Sequence, residues 1–433
     1  MNIVMLTNTF TPHIGGVARS VEAFTAEYRR RGHRVLVVAP EFPGMPQDEI
    51  DVVRIPAIQN FNGSDFSVVL PVSGLLTVLL DEFAPDIIHA HHPYLLGVTA
   101  LRVARYRSLP LVFTHHTLYE EYTHYVPGDA PKLRRFIIEA AIRYANLSDQ
   151  VFAPSESIMA LLRERGVATP ITVVATGVQT ERFTQGNGGR FRVATGIPED
   201  AFVVGHLGRL APEKNLEFLA EAAAAFLKTT SRAHFLVIGT GPSEMTIRQI
   251  FSREGLDARL HIAGILEHEQ LADALHAMNL FAFASKSETQ GMVLTEAMAA
   301  GLPVVALDAC GVREVVRDYK NGRLLHAQSI KAFVSAMQWV AGLPAKQVRE
   351  LERAALDTAE AFSMSHSADK ALACYTNLRD GIAADRLEQE QEQEQEQEQH
   401  WHHLLDLIKV EWEILKGIGS ATDAALGADE ETG

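Results

Sequence analysis

The sequence predicts an α/β fold built from two Rossmann-like domains, and three observations carry that expectation. At 433 residues the chain is longer than one hydrophobic core usually supports. Short apolar runs of strand length alternate with helix-length amphipathic segments through both halves, the pattern of a parallel sheet with helical crossovers. Twice, after Ile3–Leu6 and after Phe202–Leu207, such a run leads into a glycine-bearing turn that opens a helix.

Composition narrows the function. The net charge of −15 is concentrated in the tail: thirteen carboxylates against two lysines give residues 388–433 a charge of −11, leaving −4 on the body. A nearly neutral body offers nucleic acid no basic face, so no nucleic-acid partner is expected. Cys310 and Cys374 are the two cysteines, too few for a disulfide scaffold and suited to a reducing compartment. Apolar sequence begins at Asn2 with no charged segment before it, so no signal peptide is expected. The longest apolar run, Phe66 to Leu80, contains Ser67, Pro71, Ser73 and Gly74 and falls short of the roughly 18–20 residues that span a bilayer. The expected location is cytoplasmic, peripheral on the inner face of the cell membrane.

In the first half, strands are expected at Ile3–Leu6, Arg34–Ala39, Ile87–Ala90, Leu111–Thr114 and Gln150–Ala153, with a helix from Val17 to Arg31. The first turn carries Gly15 and Gly16, and a diglycine at a helix start lets backbone N–H groups approach a diphosphate. A tight turn without a ligand fits the same residues. His89, His91, His92, His115 and His116 cluster after two strands. Their spacing invites a zinc reading, but no carboxylate or cysteine is placed to complete it, and no metal is expected. Pro131 to Asn146 is a basic amphipathic helix, with Lys132, Arg134, Arg135 and Arg143 beside Phe136, Ile137 and Ile138. It fits an anionic membrane surface, or equally a helix packed on the sheet with a solvated basic face.

The stretch Gly186-Asn187-Gly188-Gly189 is expected to be a linker. Beyond Phe202–Leu207 come Arg209 and Lys214; a bidentate Arg and a Lys at a helix entrance can neutralise a diphosphate without a metal. Gly239-Thr240-Gly241 follows a strand, but Glu244 stands where a dinucleotide fingerprint has its third glycine. Next, the apolar run Leu280 to Ala284 leads into a polar turn and a helix opening near Gln290 or Gly291, closed by Gly301 and Pro303. Glu288 precedes this helix at the carboxyl end of a strand, where open parallel sheets place ligands. Glu296 sits within the run Val293, Leu294, Ala297, Met298, Ala300, where a carboxylate needs a partner or a ligand hydroxyl. The pair alone fits equally a surface Glu beside a Glu in a structural ion pair.

Two carboxylates eight residues apart around a helix start resemble the Glu-x7-Glu signature of retaining glycosyltransferases of the GT-B fold, and more narrowly of family GT4. The resemblance covers roughly residues 1–380. It implies two Rossmann-like domains with an interdomain cleft and a metal-independent transfer from a nucleotide sugar, with no cofactor. By resemblance, Glu288 contacts the transferred sugar, Glu296 the ribose, and Gln290, Gly291 and Met292 the donor. Arg209 and Lys214 hold the leaving diphosphate, Gly15 and Gly16 touch it, and His116 lies beside the sugar. Thr114-His115-His116-Thr117, the segment Leu118 to Pro127 and Gly15 to Ser20 look most like bacterial diacylglycerol glucosyltransferases. That likeness implies UDP-glucose as donor and a membrane lipid as acceptor. A soluble or polysaccharide acceptor, or a non-catalytic nucleotide-sugar-binding role, are the alternatives.

The expected division is 1–180 for the acceptor domain, 181–365 for the donor domain and 366–386 for a helix returning to the first. A Glu/Gln linker over 387–400 and a tail over 401–433 complete it. Glu388 to Gln399 alternates strictly and has nothing to bury, so it reads as a solvated helix or a disordered spacer. Trp401, Leu404, Leu405, Ile408, Trp412 and Leu415 follow helical spacing, which fits docking on the protein, self-association through 401–416 or contact with a membrane; Asp406, Glu411 and Glu413 disfavour anionic lipid and put protein–protein contact first.

Overall fold

The computed structural model describes residues 1–13, 15–58, 68–69, 75–118 and 131–392. The expectations for Tyr119 to Pro127, for most of Phe66 to Gly74, for the Glu/Gln tract beyond Glu392 and for 401–433 lie outside the described residues. The chain divides into two compact units, Met1–Ala175 joined by the chain from Ser367, and Thr176–His366.

In the first unit, β1 (Asn2–Leu6), β2 (Arg34–Pro40), β3 (Val52–Ile55), β4 (Ile87–Ala90), β5 (Leu111–Thr114), β6 (Gln150–Ala153) and β7 (Ile171–Val173) form one sheet. Their order is β3-β2-β1-β4-β5-β6-β7, and every pairing is parallel. The central strands are buried along their whole length, which is why they read as continuous apolar runs rather than alternating ones. Helix Gly16–Arg30 turns Val21, Phe24 and Tyr28 inward at helical spacing.

The last helix, Met364–Glu392, is longer than expected and includes the first residues of the Glu/Gln tract. From it Tyr375 is buried in the first unit, stacked on Phe152 with centroids 5.8 Å apart. Tyr28 Oη donates to Tyr375 Oη at 3.4 Å, Tyr375 Oη lies 2.6 Å from His89 Nδ1, and His89 Nε2 lies 2.7 Å from Thr114 Oγ1. This is a relay with one proton per bond: Tyr375 donates to Nδ1, and His89 donates from Nε2. Tyr375→Phe leaves His89 Nδ1 buried without its donor. The expected result is a loss of about 1–3 kcal/mol, read as a melting temperature lower by about 2–6 °C.

The second unit repeats the plan. Its strands are β8 (Phe202–Leu207), β9 (Ala233–Ile238), β10 (Leu260–Ile262), β11 (Leu280–Phe283), β12 (Val304–Leu307) and β13 (Gly322–Leu325). They are parallel in the order β10-β9-β8-β11-β12-β13. Alternate residues feed two cores, Val203, Phe281 and Val304 on one face, Val204, Leu280 and Val305 on the other.

The linker expectation for Gly186 to Gly189 is corrected. These residues belong to the second unit and open the helix Gly188–Thr195, which lies against the helix His268–His276. A Cβ on Gly188 would fall 2.1 Å from His276 O, so glycine serves close packing there. Glycine-rich composition alone does not separate the two uses. The chain passes between the units at Ala175–Thr176 and His366–Ser367, and within the second unit Val178 N–H donates to Phe362 O at 2.9 Å while its carbonyl accepts from Met364 N at 2.8 Å.

Candidate active site

In a sheet ordered this way the strand sequence reverses between two central strands, opening a crevice at their carboxyl ends. In the second unit those strands are β8 and β11, and the loops leaving them carry Arg209, Lys214 and Glu288. The loops are stitched together at three places. Lys214 Nζ lies 2.6 Å from Glu288 Oε1, Ser287 Oγ donates to Glu213 O at 3.2 Å, and Asn215 Nδ2 donates to Ala284 O at 3.1 Å. The Lys214 and Glu288 side chains are only 19% and 13% exposed, so water screens their attraction poorly. Arg209 pairs with Glu213, four residues on, and keeps half its side chain exposed. Both cations thus sit beside carboxylates, Lys214 largely shielded from water and Arg209 half exposed, where a diphosphate can compete for them.

Gly239 and Gly241, too weak in sequence for a dinucleotide fingerprint, have a packing reason. A Cβ on Gly239 would stand 1.9 Å from Gly208 O, and one on Gly241 2.4 Å from Leu210 O. The turn thereby braces the Arg209 loop from behind, with Leu210 N donating to Thr240 O at 2.8 Å.

Gln290 is buried, and both the oxygen and the nitrogen of its amide are engaged within the unit. Its Oε1 accepts from Thr176 N at 2.6 Å, and its Nε2 donates to Thr176 O at 2.5 Å. Gly291, at a φ of +73°, caps the helix Met292–Ala299. Met292 is half-buried, and so is Glu296, between the buried Thr295 and Ala297.

The corresponding reversal in the first unit lies between β1 and β4. Gly15 and Gly16 start the helix Gly16–Arg30, and a Cβ on Gly16 would meet nothing within 4 Å, so that side is open. His91, His92 and His116 follow β4 and β5. His91 Nδ1 lies 2.9 Å from His116 Nε2, and Asn8 N donates to His92 Nδ1 at 3.1 Å. The Asn8 side chain in turn binds Tyr94 O and Leu96 N at 3.0 and 3.1 Å. Among the described residues no three His, Cys, Asp or Glu side chains converge as a metal-holding group.

Burial pushes the histidines down: His89 and His92 to about 3, His115 to about 4, and His91 and His116 well below the ordinary value of 6.5. Between those values and 6.5 the unfolded chain binds more protons than the folded one. Their contribution is therefore complete above pH 6.5 and is lost as pH falls toward 4. Each can remove up to about 1.4 kcal/mol per pH unit in that window. Thermal melts across pH 8 to 5 are expected to be flat above about 7 and to fall below 6.5, before carboxylates titrate.

Sequence reasoning missed Glu213, Thr176 and Gly311. A Cβ on Gly311, at a φ of +73°, would fall 2.5 Å from Gln290 N and 2.7 Å from Thr289 C, so this glycine underlies the Glu288 loop. A glycine in a Cys-Gly-Val context carries no signal of such a contact.

Residues 14–182 match the profile of Glycosyltransferase Family 4, and residues 189–356 that of Glycosyl transferases group 1. An alpha-monoglucosyldiacylglycerol synthase of Streptococcus pneumoniae is 26% identical over 335 residues, 76% of each chain. A GDP-mannose-dependent alpha-mannosyltransferase of Mycobacterium tuberculosis is 29% identical over 339 residues, 75% of this chain and 84% of that one. Anabaena HepE, crystallised with UDP and glucose, superposes with a TM-score of 0.70 at 20% identity, over 87% of this chain and 99% of its own. The chain belongs to glycosyltransferase family 4 and carries the two parallel-sheet domains of the GT-B fold.

Proposed function

We propose that the enzyme transfers glucose from UDP-glucose, with retention and without a metal, to the hydroxyl of a membrane lipid such as diacylglycerol. The observation that carries the donor half is the Lys214–Glu288 pair beside Arg209 at the carboxyl ends of β8 and β11. Cations and a sugar-binding carboxylate are needed at one place, because charge develops on the leaving diphosphate while the anomeric carbon opens.

Arg209, Lys214 and the helix start at Gly291 take up that charge. Donor binding draws Lys214 onto phosphate and turns Glu288 toward the sugar hydroxyls; Glu296 accepts from the ribose. His116, neutral at pH 7, orients the sugar. The departing phosphate accepts the acceptor's proton, so no carboxylate needs to act as nucleophile. Support for the acceptor is the likeness to a synthase of glucosyldiacylglycerol. The helix Pro131–Asn146, with Arg134 and Arg135 exposed, gives the first unit a basic surface suited to anionic lipid. No helix among the described residues is long and apolar enough to cross a membrane, so contact is proposed to be peripheral.

The test is turnover of UDP-glucose, with GDP-mannose in parallel, in mixed micelles with and without diacylglycerol. The expected product is an α-glucosyl lipid, formed only with UDP-glucose and lost in Glu288→Ala. Transfer from GDP-mannose alone, or to a soluble acceptor alone, replaces the donor or the acceptor in this reading.

A further inference from the structure

His91 is a buried histidine that the proposed reaction leaves without a task. It follows β4, its backbone N–H donates to Leu6 O at 3.0 Å, and its Nδ1 lies 2.9 Å from His116 Nε2. The two rings stack with centroids 5.2 Å apart. Among the described residues His91 Nε2 is buried and has no hydrogen-bond partner.

A neutral imidazole has one N–H and one bare nitrogen, so a single proton lies between the two facing atoms. Burial and the neighbouring rings keep both histidines neutral near pH 7. Were His116 to donate from Nε2, His91 would accept at Nδ1 and carry its own proton on Nε2, a sealed N–H with no acceptor. With His91 donating from Nδ1, only a bare nitrogen is sealed in. Orphaned buried N–H groups are the rarer of the two. His89, with its ring centroid 4.1 Å from that of His91, offers no acceptor, since both its nitrogens are engaged by Tyr375 and Thr114.

We propose that His91 is a positioning residue that donates to His116 Nε2 and so fixes His116 as the Nδ1–H tautomer. His116 then offers a hydrogen-bond donor and no basic nitrogen. Whatever meets its Nδ1 must be an acceptor, such as a sugar hydroxyl oxygen or a phosphate oxygen. His116 is thereby excluded as the base that takes the acceptor's proton. The catalytic consequence rests on the glycosyl-transfer reading, whereas the tautomer does not.

Long-range proton–nitrogen spectra of the full chain labelled with ¹⁵N-histidine report the tautomer, His116 being assigned by its absence in His116→Phe. The expected wild-type state is Nδ1–H. It persists in His91→Asn, whose amide can still donate, and shifts toward Nε2–H in His91→Phe. With turnover, His91→Phe is expected to lower kcat about tenfold with the donor KM within about twofold, and His91→Asn to recover most of it. A wild-type His116 protonated on Nε2 overturns the proposal, and this spectrum decides even if a variant fails to fold. An unchanged kcat in His91→Phe overturns the positioning role. The stated tautomer without transfer to any acceptor sinks the glycosyl-transfer reading and leaves the tautomer assignment standing.

Discussion

Lys214→Ala is expected to lower kcat by about 10²–10³-fold, the effect of removing one preorganised charge from a developing anion. Two things are lost together. The leaving diphosphate loses a cation held in a shielded position, and Glu288 loses the ammonium that lies 2.6 Å from its Oε1. A carboxylate only 13% exposed and stripped of that partner is destabilised and reorients. The two residues therefore act as a unit, and a double-mutant cycle carries the signature. Lys214→Ala combined with Glu288→Ala should be little worse than either alone, because each single change already disables the pair. Fully multiplicative losses, measured by steady-state kinetics, would show that the two side chains work independently. Lys214→Arg keeps the charge but replaces a point donor with a planar fork, so only partial recovery is expected.

Gly311→Ala carries the second large effect, on stability as well as turnover. The added Cβ meets backbone rather than a flexible side-chain end, at 2.5 Å from Gln290 N and 2.6 Å from Gln290 Cα. The left-handed backbone at Gly311 adds its own strain. The Thr289–Gln290 peptide must move, and with it Glu288 on one side and the Gln290 clamp on Thr176 on the other. A loss of about 2–4 kcal/mol is expected, with turnover at least about tenfold lower in the protein that still folds. Gly196→Ala is the control. Gly196 has nearly the same φ, +71°, but a Cβ there meets nothing within 4 Å. It should lose only about 1 kcal/mol and leave turnover unchanged. Equal melting temperatures for the two variants would mean that the contact under the Glu288 loop is not tight.

The sequence exposes much of this frame for a physical reason. Strands such as Ile87–Ala90, Leu111–Thr114, Gln150–Ala153 and Phe202–Leu207 are buried on both faces and stand out as uninterrupted apolar runs between turns. That Arg209, Lys214 and Glu288 lie in loops directly after strands is legible because the apolar runs before them mark where each strand ends. What stays hidden depends on strand order. Gln290 clamps Thr176 across 114 residues, His91 meets His116 across 25, and Lys214 meets Glu288 across 74. The Lys214–Glu288 contact exists because β8 and β11 are neighbours and the His91–His116 contact because β4 and β5 are, and no local pattern encodes that strand order. Glu213 reads in sequence as an acid at a helix entrance, and only the fold identifies it as the partner of Arg209. The misread glycines at 186–189 show the converse, a composition typical of linkers used for close helix packing.

The most direct measurement is calorimetric titration of UDP, with GDP in parallel, into the wild-type chain and into Arg209→Ala/Lys214→Ala. The wild type is expected to bind one nucleoside diphosphate saturably. Affinity is expected to be weaker by at least about 100-fold in the variant, read at a temperature where it is still folded, since the loss of both cations leaves Glu213 and Glu288 unpaired and lowers the melting temperature. Equal affinity in the two proteins would contradict that expectation, because the diphosphate would then be held somewhere other than the loops that follow β8 and β11.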